Sequence, residues 1–116
     1  MSGRSSEVPP PVLTDRPLVG DDEAAHLVTL FRVLASETRL RILHAIARAG
    51  EASVSDLADS VGASTQSVSN HLQRMAGQQI VTTRRDGTRI YYRLVDPRVG
   101  ELMELGLRLL VHQPEC

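Results

Sequence analysis

The stretch SVSDLADSVGASTQSVSNHLQRM, residues 53–75, decides the fold because it contains two helix patterns on either side of a glycine. Ser53 and Asp56 have the spacing of a capping box, in which Asp replaces the usual Glu or Gln. The box predicts a short helix that ends at Gly62. Ser64 is then placed to cap a second helix. Two helices joined by a tight turn form a helix-turn-helix.

The second of these helices has one apolar face and one dense polar face. Its apolar side chains, Val68, Leu72 and Met75, stand at i, i+4 and i+7. Burying three such side chains is worth roughly 1.5–3 kcal/mol each, which is enough to fix the face that packs on the core. The opposite face is therefore predicted to point outward, where a partner can reach it.

A β-hairpin is predicted to follow, because the apolar period changes from 3.6 to 2 after Gly77. Segments 80–85 and 88–94 are rich in β-branched and aromatic residues, and Asp86–Gly87 between them is a strong turn signal. Several arginines lie close to this turn. The pattern indicates a two-stranded ribbon with a basic tip.

Three further helices are predicted around this segment. The first, about 21–35, begins with acidic residues that suit a helix N-terminus. Ser36 is placed to cap the second helix, and Gly50 to end it. The last, about 97–111, has more apolar residues than one buried stripe needs, so we expect another subunit to cover it. The predicted fold is mainly α with a small β-hairpin: five helices plus a two-stranded wing.

Length and composition favour one domain. The 116 residues are 41% hydrophobic, enough for a single core. Cys116 is the only cysteine, which excludes an intrachain disulfide and fits a reducing cytoplasm. No signal-peptide pattern or membrane-spanning apolar run is present. We expect a disordered arm at 1–20, one folded domain at 21–111 and a tail at 112–116.

Charge is unevenly distributed along the chain, although its net value is only −1. Residues 32–48 contain four Arg against one Glu, and residues 64–98 contain six Arg against two Asp. The second block coincides with the polar helix and the hairpin. A basic block at such a place favours a polyanionic partner.

A helix-turn-helix followed by an Arg-tipped hairpin is the winged-helix arrangement, in which the second helix enters the DNA major groove. Gln66, Asn70 and Arg74 have groups that hydrogen-bond base edges, whereas short Ser and Thr hydroxyls suit phosphate oxygens. The hairpin arginines supply charge that displaces counterions. The predicted DNA-binding residues are Ser64, Thr65, Gln66, Ser67, Ser69, Asn70, His71, Arg74, Arg84, Arg85 and Arg89.

Over about residues 21–111 the chain resembles the ArsR/SmtB family of bacterial winged-helix repressors. The resemblance rests on LFRVLASETRLRILHAI (30–46), on residues 53–75 and on the wing IVTTRRDGTRIYYRL (80–94). It implies a homodimer, held by the first and last helices, that binds a palindromic operator and responds to a metal ion or another signal. The predicted interface residues are Leu27, Leu30, Phe31, Leu102, Met103, Leu107 and Leu110.

Two metal sites common in this family are incomplete here. Where the family has a cysteine pair, in a pattern like ELCVCDL, this chain reads EASVSDL, with Ser53 and Ser55 in the cysteine positions. Serine is not a thiolate ligand. The second site of the family lies on the last helix, in the pattern Asp-x-His, ten residues, then His-x-x-Glu or His. Only Asp96 and His112 match this pattern here, and Arg98 replaces its first histidine. Asp96 and His112 are the remaining candidates for Ni, Co or Zn; alternatively they are a helix cap and an exposed imidazole.

Other functions remain to be separated from a dimeric repressor. A winged-helix module that binds protein and not DNA has the same fold, but the Arg-rich hairpin disfavours it. An activator, or a regulator without an effector, has the same DNA-binding residues. An enzyme is disfavoured, because the sequence has no Ser/His/Asp or Cys/His arrangement near a plausible pocket and no Gly-rich phosphate loop. The partners expected are operator DNA and a second copy of the chain, with no membrane.

Overall fold

The computed structural model describes residues 12–111. Within them, five helices and two antiparallel strands confirm the predicted fold class. The elements are a 3-10 turn at Val12–Asp15, then α1 (Asp21–Leu34), α2 (Glu37–Ala49), α3 (Val54–Val61), α4 (Thr65–Gly77), β1 (Val81–Asp86), β2 (Arg89–Leu94) and α5 (Arg98–Val111). The predicted arm lies partly outside the described residues, and the predicted tail, with His112 and Cys116, lies wholly outside them. None of the helices in 12–111 is long and apolar enough to cross a bilayer.

Serine caps fix where the central helices begin. On α3 the capping box is complete: the Asp56 amide donates to Ser53 Oγ at 3.2 Å, and the Ser53 amide donates to Asp56 Oδ2 at 3.5 Å. Asp therefore does here what Glu or Gln does in most such boxes. Gly62 ends α3 in the left-handed region, at φ 70°. The three predicted caps are all formed, by Ser36 on α2, Ser53 on α3 and Ser64 on α4.

The core lies where α2, α3, α4 and the base of the hairpin meet. The predicted apolar face of α4 is wholly inside it, since Val68, Leu72 and Met75 each have 0% exposure. For α2 the apolar spacing predicts a buried stripe of Leu40, Leu43, Ile46 and Ala47, which is partly wrong: Ile42 is fully buried, whereas Ala47 is exposed. Steps of three and four fit more than one helix face, and the position of α3 and the hairpin decides which arc of α2 is covered.

The hairpin turn differs by one residue from the prediction. Asp86 pairs with Arg89 in the strand register, so the two-residue loop is Gly87–Thr88 and not Asp86–Gly87. Gly87 has φ 65°, whereas Thr88 has no positive φ. Glycine at the first loop position with that combination is the type II′ pattern, which matches the twist of the flanking strands.

Backbone hydrogen bonds of Ala52, between α2 and α3, join the hairpin to the helices. Ala52 pairs with Tyr92 of β2: the Ala52 amide donates to the Tyr92 carbonyl at 3.0 Å, and the Tyr92 amide donates back at 2.8 Å. The Ala52 side chain is buried. The wing is therefore fixed to the connection that precedes the helix-turn-helix.

α5 is the least covered helix, because none of its residues is buried. Its Leu107 and Leu110 are 51% and 64% exposed, and Phe31 of α1 is 49% exposed. These side chains line an apolar groove of about 540 Å³ between α1, α2 and α5. Monomeric proteins seldom leave such a surface uncovered.

Candidate nucleic-acid interface

The outer face of α4 carries the side chains predicted to read bases. Gln66, Asn70 and Arg74 are exposed, because the opposite face of the helix is fully buried. Gln66 Nε2 donates to Asn70 Oδ1 at 3.1 Å, so one amide orients the other. Within residues 12–111 the Asn70 amide nitrogen and the Gln66 amide oxygen have no other hydrogen-bond partner, and this donor and acceptor are the pair that an adenine edge requires.

The hydroxyl groups near the start of α4 differ in access. Ser64 Oγ accepts the Ser67 amide at 3.1 Å, which leaves the Ser64 hydroxyl proton free to donate outward. Thr65 is exposed, whereas Ser67 and Ser69 are half-buried. The positive end of the α4 dipole lies among these residues, where it favours an anion.

His71 lies at the border between the polar face and the core. It is half-buried, and its Nδ1 is 3.3 Å from Nη1 of Arg39. Burial lowers the pKa of His71, and the charges of Arg39 and Arg74 lower it further. Sequence reasoning did not identify Arg39; the available signal was a charged residue at the same helical spacing as Ile42 and Ile46.

Arg84 of the wing is held by a carboxylate. Its Nε donates to Glu51 Oε1 at 3.0 Å and its Nη2 to Oε2 at 2.5 Å, while its guanidinium lies 4.9 Å from the Tyr91 ring centre. The bond to Arg84 lowers the pKa of Glu51, and the same bond raises the pKa of Arg84. The charge of Arg84 is therefore largely neutralised within the protein, which the sequence did not indicate.

The charge available at the wing tip comes instead from Arg85 and Arg89. Both side chains are exposed, and within residues 12–111 neither forms an ion pair. The Arg89 guanidinium lies 5.9 Å from the centre of the Tyr91 ring, which limits its freedom. Two guanidiniums that have no ion pair within residues 12–111 therefore lie beside the turn of the hairpin.

The residues predicted for a metal do not form a site in the described part of the chain. Asp96 is bound by Arg98, whose Nη2 donates to Oδ2 at 2.6 Å and whose amide donates to Oδ1 at 2.9 Å. The side-chain bond from Arg98 is the main reason that the pKa of Asp96 falls to about 2. Residues 12–111 contain no group of three His, Cys, Asp or Glu that could hold a metal. The predicted partner of Asp96, His112, lies outside residues 12–111.

Comparisons with known proteins agree with this geometry. A helix-turn-helix domain family matches residues 34–84. The HTH-type transcriptional regulator KmtR of Mycobacterium tuberculosis is 43% identical over 83 residues, which are 72% of this chain and 63% of that protein. The crystal structure of AntR, described as an antimony-specific transcriptional repressor, has a TM-score of 0.77 at 49% identity and covers 91% of this chain and 95% of its own.

A third similar protein, Mb0332 of Mycobacterium bovis, is described as homodimeric and as a possible ArsR-family transcriptional regulator. Its winged helix-turn-helix domain has a TM-score of 0.68 at 28% identity, covering 86% of this chain and 100% of its own. The chain spans just under two thirds, 63–65%, of the length of the first curated relatives that it matches.

Proposed function

Since the chain belongs to the ArsR/SmtB family of winged helix-turn-helix regulators, we propose that it is a sequence-specific, DNA-binding transcriptional repressor that acts as a homodimer. The observation that carries the proposal is the outer face of α4. The apolar residues on the inner face of α4 are completely buried, and the polar side chains of the outer face are thereby presented together on the surface. The same proposal includes a DNA-binding and dimerisation domain at 21–111 and action in the cytoplasm.

In this proposal α4 lies in the major groove and the wing follows the neighbouring backbone. The Gln66–Asn70 pair reads a base edge, and Arg74, one turn further along, reads another or a phosphate. Ser64 and Thr65 bring short hydroxyl donors to the backbone beside the helix N-terminus. Arg85 and Arg89 neutralise phosphates, because no carboxylate within residues 12–111 pairs with them.

The apolar groove of α1 and α5 supports the dimer. A second copy of the chain is the occupant proposed, because both helices expose large apolar side chains beside the groove and a symmetric partner presents the same surface. The homodimeric Mb0332 domain has the same fold. Leu30 and Met103 are already half-buried within one protomer, so they support the interface more than they form it. The proposed interface consists of Leu27, Leu30, Phe31, Leu102, Met103, Leu107 and Leu110.

A metal effector has weaker support than DNA binding. AntR is described as antimony-specific, and relatives include cadmium resistance regulators, so a response to a metal ion belongs to the proposal. The described residues do not fit a metal site. Ser53 and Ser55 are not thiolates, and the carboxylate of Asp96 is hydrogen-bonded to Arg98. Binding of Ni, Co or Zn measured by calorimetry, with Asp96→Asn and His112→Ala as variants, decides this point; unchanged binding in both removes the predicted pair.

DNA recognition is tested with a duplex that the full-length protein itself selects from a random library. We expect DNase I protection of two half-sites about 34–36 Å apart. Asn70→Ala and Gln66→Ala should each reduce the preference for this duplex over a scrambled one by about 5–150-fold, because a bidentate base contact is worth ~1–3 kcal/mol. Gln78→Ala, at the exposed C-terminal end of α4, is the matched control.

Three results of this experiment contradict the proposal. Equal losses in Gln66→Ala and Gln78→Ala would place base recognition elsewhere. Protection of one asymmetric site would exclude the dimer. Failure to enrich any duplex would favour a protein-interaction module. An activator and a repressor bind DNA alike, so the sign of regulation is measured with a reporter gene placed behind the selected duplex.

A further inference from the structure

Arg39 of α2 is a buried charge that contacts two other helices. The residue is 8% exposed. Its Nε donates to the carbonyl of Val33, and its Nη2 donates to the carbonyl of Arg32 at 3.4 Å. Its Nη1 lies 3.3 Å from Nδ1 of His71 on α4. One guanidinium therefore joins the end of α1 to the helix that carries the polar face.

The contacts to α1 have a simple explanation. The last carbonyls of a helix have no partner within the helix, and a cation beside them is stabilised by the helix dipole. If this were the whole role of Arg39, the contact to His71 would not be needed. That contact adds a polar connection, 32 residues apart in sequence, between α2 and α4.

The chemistry of the contact fixes the state of the imidazole. Arginine has only donors and stays charged, so His71 Nδ1 must be an acceptor, and the ring is neutral with its proton on Nε2. Protonation of Nδ1 places two donors against each other and ends the hydrogen bond. The charged groups that face His71 are Arg39 from α2 and Arg74 from α4, both cations.

We propose that Arg39 is a positioning residue for DNA recognition: through the neutral ring of His71 it sets the orientation of α4 relative to α1 while the apolar face of α4 stays packed in the core, and protonation of His71 removes this constraint. The inference rests on the proposed function, because it concerns how α4 is presented to DNA. It also joins the two proposed surfaces, since α1 contributes to the dimer groove and α4 to the DNA interface. A change at one surface reaches the other through Arg39.

In this scheme, acidification strengthens non-specific DNA binding and weakens sequence-specific DNA binding. Additional positive charge strengthens non-specific attraction to phosphates at low pH. Specific recognition weakens, because base contacts depend on the orientation of α4. The informative quantity is therefore the ratio of affinities for the selected duplex and a scrambled duplex. Burial lowers the pKa of His71, and the charges of Arg39 and Arg74 lower it further, so the ring is neutral and the connection is intact at pH 7.5.

The experiment measures this ratio for the full chain at pH 7.5 and at the lowest pH at which circular dichroism shows that the chain stays folded. We expect the wild-type ratio to fall by about tenfold or more on acidification. This is the change in an equilibrium constant that the loss of one hydrogen bond to a charged group produces. His71→Asn keeps an acceptor near the Nδ1 position but does not titrate. The ratio of affinities for this variant should therefore differ by no more than about twofold between the two pH values.

Arg39→Lys tests the other half of the connection. Lysine keeps the charge but not the planar fork, so it cannot serve both carbonyls and His71 together. The ratio at pH 7.5 should fall about tenfold in this variant, and its pH dependence should be weaker than that of wild type. Circular dichroism shows whether it folds; if it does not, His71→Asn still decides the question.

Two outcomes overturn the inference. One is a His71→Asn protein whose ratio depends on pH as in wild type. The other is a folded Arg39→Lys protein with the wild-type ratio at pH 7.5. Failure of the proposed function looks different, since the wild-type protein would then prefer no duplex at either pH.

Discussion

The division of the wing arginines into paired and free groups leads to a quantitative prediction. Arg85 and Arg89 have no ion pair in the described part of the chain, whereas Glu51 holds Arg84. Each phosphate neutralised contributes about 0.9 to the slope of log K against log salt. The double variant Arg85→Ala, Arg89→Ala removes two contacts from each protomer, and thus about four from a dimer, so the slope should decrease by about 3.6.

This decrease is large enough to measure by fluorescence anisotropy with a labelled duplex. Between 50 and 200 mM salt, the wild-type protein should lose about 150-fold more affinity than the double variant. Arg84→Ala is the matched control, and its slope should change little, because Arg84 is bonded to Glu51 and not to a phosphate. Glu51→Gln should make the slope steeper by up to about 0.9 per protomer, because it frees Arg84.

The reasoning is refuted if Arg84→Ala lowers the slope by about 1.8, the amount expected for one lost phosphate contact in each protomer. In that case DNA competes successfully for Arg84, and the bond to Glu51 belongs only to the free protein. An unchanged slope in the double variant would instead show that the wing tip does not reach the backbone.

Three further predictions concern stability, ionisation and assembly. Ser53→Ala removes the cap of α3 and should lower the free energy of unfolding by about 1 kcal/mol in urea denaturation, whereas Ser55→Ala, exposed on the same helix, should have little effect. Carboxyl NMR should place the Asp96 titration near pH 2, and Arg98→Ala should return the pKa of Asp96 toward 3.8. The folded-state pKa of Asp96 lies below the unfolded one, so the Asp96–Arg98 pair stabilises the fold at neutral pH. This contribution is lost as the pH falls from about 4 to 2. Leu107→Glu should convert the dimer to a monomer in analytical ultracentrifugation, whereas Arg108→Ala, on the same helix but outside the groove, should not; a monomeric wild type would exclude the interface.

Features set by neighbours in the sequence were predictable from it. The capping box of α3 and the buried face of α4 depend on residues three and four apart, so their patterns are visible in the chain itself. The exposed polar face of α4 followed from its buried apolar face. The hairpin was predicted from its turn signal, although the loop lies one residue later, because register also depends on pairing along both strands.

The missed features join distant parts of the chain. Glu51 and Arg84 are 33 residues apart, and Arg39 and His71 are 32 apart, so no local period indicates either pair. The Arg84 pair bears on the candidate site, because it gives one of the three wing arginines predicted to bind DNA a carboxylate partner within the protein. For Arg39, a charge at a buried position of α2 required a partner, but the sequence did not say which.

The two hydrogen bonds between Ala52 and Tyr92 have a consequence for the target DNA. Because they fix the wing to the start of the helix-turn-helix, the spacing between the wing and α4 is a property of the fold and not of the complex. One extra base pair between the segments that they touch moves one segment by about 3.4 Å and turns it by about 34–36° around the duplex axis. A protein with a hinged wing could follow that change. This one should tolerate base substitutions between the two segments far better than insertions.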